Sequence, residues 1–249
     1  MELKNKIALV TGGTRGIGAA SALALAREGA NIALMGRRKD DEALEAVKGI
    51  ERLGSRCELI LGDCARPRDC RSAVEQTISK FGTIDVLIHA AGGPVNGGLL
   101  KLTDEQWQEA FDVHVHAIFH LCRAAIPTMQ TRKSGAVVLV SSTAGIRGVI
   151  TNVAYQVVKG ALPQFTRALA REFADDNIRV NCVAPGVIRT AFHASMTDEQ
   201  RKLNLEKRIP LHREGGPDQV ASVILELVKN EYITGETVTI DGGLTMRIA

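Results

Sequence analysis

The chain has 249 residues, 45% of them hydrophobic, and its 31 basic and 28 acidic side chains leave a formal charge of +3. That is enough apolar chain for one substantial core and too balanced a surface for nucleic acid or an anionic membrane, so a small-molecule site must carry the function. Cys57, Cys64, Cys70, Cys122 and Cys182 are odd in number and lack C-x-x-C spacing, which excludes a disulfide framework or thiolate metal centre and fits reduced thiols.

The N-terminal run lacks the apolar core and cleavage site of a signal peptide, and no segment approaches the roughly 20 apolar residues that span a bilayer. A cytoplasmic protein is expected.

The first strand-like run, Lys6 to Thr11, leads directly into Gly12-Gly13-Thr14-Arg15-Gly16-Ile17-Gly18 and a helix from Gly16 to Glu28. Glycines here allow a tight turn and close backbone approach, and a helix start offers N–H donors to a pyrophosphate. Gly12, Thr14, Arg15, Gly16, Ile17 and Gly18 are therefore candidate cofactor residues. A P-loop is excluded, because no Lys-Ser or Lys-Thr pair follows the last glycine. The second strand, Asn31 to Met35, ends at Gly36-Arg37-Arg38, where a cofactor lacking the extra phosphate would usually meet a carboxylate. With Arg15, the pair Arg37 and Arg38 points instead to a ribose 2′-phosphate and so to NADP(H).

A helix at Asp40 to Leu53, a strand at Cys57 to Leu61, a helix at Pro67 to Phe81 and a strand at Ile84 to Ala90 follow. Next come a helix across Asp104 to Thr131, a strand at Ala136 to Ser141, a helix at Asn152 to Asp175 and a strand at Ile178 to Ala184. After the stretch 187–216, a helix at Pro217 to Val228 and a strand at Thr237 to Ile240 complete the pattern. Strands separated by helices predict a single α/β domain, a doubly wound seven-stranded parallel sheet with helices on both faces, Rossmann-like in form. Ligands of such sheets lie at the carboxyl ends of the strands, and 187–216 is placed to form a substrate lid there.

Thirteen residues beyond Ser142, which follows the fifth strand, stands Tyr155, with Lys159 one helical turn later. A phenol beside an ammonium is expected to have a lowered pKa and to exchange a proton near neutrality; Ser142 can hydrogen-bond an oxygen that gains charge.

With these motifs in place, the chain resembles the short-chain dehydrogenase/reductase family, in its branch of about 250 residues with a glycine turn and a Tyr-x-x-x-Lys pair. Nearly the whole sequence takes part, including Pro185-Gly186 and the segment Gly235 to Gly243. The resemblance implies that Ser142, Tyr155 and Lys159 are catalytic and that Tyr155 and Lys159 also face the cofactor, Lys159 at the nicotinamide ribose. It further implies that Asp63, with Cys64 beside it, lies at the adenine, and that Ala91 and Gly92 flank the cofactor. Pro185, Gly186, Ile188 and Thr190 would line the nicotinamide side. Two departures stand out. The usual Asn-Asn-Ala-Gly is His89-Ala90-Ala91-Gly92, and the position of a relay asparagine holds His114. An imidazole of reference pKa about 6.5 could take a charge there in the working range, and His114 is the fourth catalytic candidate.

His116 and His120 are one turn apart but lack a third ligand, so no metal is expected. The expected reaction is NADPH-dependent, reversible reduction of a ketone, with a 3-oxoacyl thioester slightly ahead of a sugar, polyol or small cyclic ketone. Arg132 and Lys133 could meet an acidic carrier, whereas Asp175-Asp176 would repel one. The other reading is a non-catalytic NADP-binding protein. Apolar positions on the fourth and fifth helices, including Phe111, Val115, Phe119, Cys122, Leu162, Phe165 and Leu169, suggest a homotetramer.

Overall fold

Seven short strands lie side by side and all parallel, in the order β3-β2-β1-β4-β5-β6-β7. They are β1 (Ile7–Thr11), β2 (Asn31–Gly36), β3 (Cys57–Leu61), β4 (Val86–His89), β5 (Gly135–Val140), β6 (Ile178–Pro185) and β7 (Thr237–Ile240). This computed structural model describes residues 1–193 and 196–246. The strand alternation assigns each side chain to a face. Leu9, Leu87 and Val137 enter one core, with α3 (Pro67–Phe81), α5 (Ala117–Arg132) and α6 (Val153–Glu172). Ala8, Val10, Ile88 and Val138 enter the other, with α1 (Gly16–Arg27), α2 (Asp41–Glu51) and α8 (Pro217–Lys229).

The long helix expected across Asp104 to Thr131 is three pieces in line: α4 (Asp104–Phe111), a π-turn (Asp112–His116) and α5. The widened turn holds His114, and such turns recur at functional positions. A small third cluster of Ala110, Ala154 and Val158, with Trp107, Phe111 and Val95 against it, fixes α4 to the start of α6.

Between β6 and α8 the stretch 187–216 contains a 3-10 turn (Ala191–His193), α7 (Asp198–Leu203) and a second π-turn (Asn204–Arg208). Residues 194–195 of the expected lid lie outside the described residues. No helix among the described residues is long and apolar enough to cross a membrane.

Candidate active site

The order of strands reverses at β1, which pairs with β2 on one side and β4 on the other, and this is where a doubly wound sheet opens a crevice. The glycine turn fills that point. Gly12 has φ +63, and a Cβ on it would lie 2.8 Å from Ala91; one on Gly18 would lie 2.2 Å from the Gly12 carbonyl. Only bare backbone fits, which leaves a close-walled cradle. The start of α1 has no side-chain cap and no acidic residue, whereas α2, α4 and α7 are capped by Asp40, Thr103 and Thr197. Unpaired N–H donors at α1 thus face the crevice.

Thr14 packs on Gly36, where a Cβ would sit 2.5 Å from its methyl, bringing the turn beside the end of β2. Arg37 and Arg38 follow there and are exposed. Arg15 reaches the same side and pairs with Asp40 at 2.6 Å and Glu42 at 2.9 Å. Asp63 follows β3 with Oδ1 accepting from the Ala65 amide at 3.0 Å. The Cys64 thiol turns into the core toward the Met35 sulfur, so only its backbone is available to a ligand. Gly16 looks across the crevice at Thr190, 3.4 Å away from a Cβ placed on it, and Gly186 packs on Asp241. Ile188 is buried and bridged to Gly215.

Ser142 follows β5 and caps a 3-10 turn (Thr143–Gly145), its Oγ accepting from the Ala144 amide at 3.1 Å. The neighbouring Ser141 hydroxyl donates to the Lys159 carbonyl at 2.6 Å, and the Lys159 ammonium donates to the Val140 carbonyl at 2.7 Å. These ties lock the start of α6 to the end of β5 and so set Tyr155 against Ser142. Burial pushes the Tyr155 hydroxyl up to about 12, against a hydrogen bond with Ser142 that lowers it. The expected lowering of the phenol pKa by Lys159 is absent in this state: the ammonium lies 5.8 Å from the ring centroid and turns to a carbonyl, so desolvation wins. Burial pushes Lys159 down to about 8.

His114 sits beside them, 1% exposed, its ring edge-on to Tyr155 at 5.9 Å. Its Nε2 donates to the Gly93 carbonyl at 3.2 Å, which assigns the proton to Nε2 and leaves Nδ1 a buried acceptor without a partner. Burial, then the charge of Lys159, pushes His114 down to about 2. The expected charge in the working range is therefore overturned by desolvation. His89, also buried, shares a hydrogen bond with Thr11 at 2.9 Å, tying β4 to β1. His116 instead pairs with Asp112 at the surface. No group of three or more metal-ligating side chains occurs among the described residues. Phe192, which no motif marks, sets its ring 5.6 Å from that of Tyr155; its one sequence signal is an aromatic residue two places beyond Thr190.

A family model described as enoyl-(acyl carrier protein) reductase matches residues 12–245. The chain belongs to the short-chain dehydrogenase/reductase family. It is an oxidoreductase of that family. The 3-oxoacyl-(acyl-carrier-protein) reductases FabG of Chlamydia muridarum and Thermotoga maritima are each 35% identical to it. Those alignments cover 97% of this chain and 98% of the first relative, and 99% of this chain and 100% of the second. Among solved structures, L-sorbose reductase from Gluconobacter frateurii complexed with NADPH and L-sorbose superposes with TM-score 0.92 at 31% identity, covering 100% of both chains.

Proposed function

We propose that this oxidoreductase interconverts a ketone and a secondary alcohol with NADP(H), acting on a free small carbonyl compound. The observation that carries the reaction is the convergence of Ser142, Tyr155 and Lys159 at the carboxyl end of β5, beside the glycine cradle. The cradle, the uncapped start of α1 and the arginines beyond Gly36 suit a dinucleotide with a ribose phosphate. Gly12, Thr14, Gly16, Ile17 and Gly18 would hold the pyrophosphate, Arg15, Arg37 and Arg38 the ribose phosphate, and Asp63 with the Cys64 backbone the adenine. Ala91, Gly92, Pro185, Gly186, Ile188 and Thr190 would flank the nicotinamide.

When bound, the cofactor supplies or accepts the hydride. Tyr155 passes its phenolic proton to the carbonyl oxygen. With a Ser142 lone pair taken by the Ala144 amide, its O–H is available to donate to that oxygen as charge develops. Lys159 supplies positive charge beneath the phenol, and the bare Nδ1 of His114 offers an acceptor to a water that returns the proton.

The free-substrate reading rests on where the two cations that could have met an acidic carrier stand: Arg132, paired with buried Asp85 at 3.0 Å, and Lys133, paired with Asp176, lie just before the first residue of β5, at the end of the sheet opposite the crevice. The names of the FabG relatives favour the second reading, a 3-oxoacyl thioester. Loss of NADPH absorbance across a panel of L-sorbose, acetoin, cyclohexanone and acetoacetyl-coenzyme A separates them. Turnover confined to the thioester would overturn the free-ketone reading; tight NADPH binding without turnover of any carbonyl would leave a binding protein. We also propose a homotetramer, its contacts drawn from exposed Phe119 and Val157 and half-buried Phe165 and Leu169.

A further inference from the structure

Glu214 is a carboxylate with a side chain only 4% exposed, on the limb by which the 187–216 stretch returns to the sheet. The backbone at that root is well tied: the Gly215 amide donates to Val187 and the Arg189 amide to Gly215, both at 2.9 Å. A buried carboxylate is strongly unfavourable unless opposite charge surrounds it. Two arginines do so, in different ways. Arg189, at the root itself, donates from Nε to Oε2 at 3.3 Å. Arg201, on α7, brings its Nε to 3.3 Å from Oε1, yet Oε1 has no aligned hydrogen bond. The first contact orients the carboxylate; the second is held by charge. The same stretch, near its other end, sets Phe192 against the ring of Tyr155.

We propose that Glu214 is a positioning residue, a buried ionic latch that holds α7 to the root through Arg201, on the same stretch whose Phe192 stands beside Tyr155. Arg189 holds the carboxylate by a hydrogen bond from the root, and Arg201 ties α7 to it by charge. The link to turnover rests on the substrate site assigned above; the placement of α7 does not.

Hydrogen exchange of the NADPH-saturated protein tests the latch. Arg201→Gln and Glu214→Gln should each speed exchange of the α7 amides by roughly fivefold or more, leave α8 unchanged, and be no more than singly effective when combined. Arg201→Lys should keep protection, because a misaligned contact needs charge and not guanidinium geometry. With any carbonyl that is turned over, the Gln variants should raise KM while NADPH affinity stays within roughly twofold of the parent. Unchanged α7 exchange in Arg201→Gln, or additive effects in the double variant, overturns the proposal. Should Glu214→Gln fail to fold, the two Arg201 variants decide alone, since that side chain is 47% exposed. If no carbonyl is turned over, exchange still decides the latch, separately from the enzymatic reading.

Discussion

At the scale of single residues, burial governs the chemistry more than neighbouring charge. Tyr155→Phe should retain NADPH affinity and lose nearly all turnover, since the ring still packs while the transferable proton is gone; titration and steady-state rates check both halves. Lys159 has its pKa lowered from 10.5 to about 8, so its charge, and the turnover that depends on it, should fall as pH rises through about 8. The linked stability has the opposite slope: between about pH 8 and 10.5 the unfolded chain binds the extra proton, so stability rises with pH there. His114, held near 2, contributes no acidic limb, and pH–rate profiles of the parent and His114→Asn should share their shape from pH 5 to about 8. A limb that moves with that substitution would mean the imidazole titrates after all. Gly92, with φ +148 and only 2.1 Å from a Cβ position to the His114 ring, should not tolerate alanine; Gly92→Ala should cost about 2–4 kcal/mol, read by denaturant unfolding.

The Tyr-x-x-x-Lys pair and the serine before it were legible because one helical turn and one strand end fix their relation. The charge states of His114 and Tyr155 were not, because desolvation depends on which distant segments cover a group. Glu214 was invisible for the same reason: between Arg213 and Gly215 it reads as an exposed loop carboxylate, and only the return of the chain to Val187 buries it.

At the scale of elements, every strand was readable from its apolar run, and the helices from their three-four spacing, except the short α7 inside the 187–216 stretch, which that spacing did not mark. The break of one expected helix at Asp112–His116 was not, since a π-turn adds a residue without changing the polarity pattern. Helix ends were harder still. The C-terminal end of α8 is closed from outside by Arg179 of β6, a buried guanidinium that donates to the carbonyls of Leu227, Val228 and Ile233. Such a cap, from a strand 48 residues earlier, has no local sequence signal. Arg179→Met keeps the bulk and strips the donors, leaving buried acceptors unpaired; a loss of about 2–4 kcal/mol is expected by denaturant unfolding. A loss below about 0.5 kcal/mol would mean that water replaces the guanidinium.

For the whole molecule, the doubly wound sheet and the place of its crevice followed from alternation alone, whereas assembly depends on which apolar side chains remain uncovered. Of the positions expected at an interface, Cys122 and Leu162 are consumed by the chain's own core, while Phe119 stays 46% exposed. Light scattering at micromolar concentration should give the tetramer mass, and Phe119→Asp should lower it while circular dichroism is unchanged; a monomeric parent would refute the assembly.

The position of β1 between β2 and β4 also sets a timetable. Ile7 closes onto Asp85, 78 residues further along, and until that strand exists β1 has one bare edge and half of its core face uncovered. During synthesis the first three strands can gather only into a provisional unit, sticky along the edge that later borders the crevice. The rate of folding should then be limited by this one distant closure, so substitutions that weaken the β1–β4 seam slow refolding more than equally destabilising ones at the outer strand β3. The seam at which the crevice opens is thus also the last stitch the chain can make in its first half.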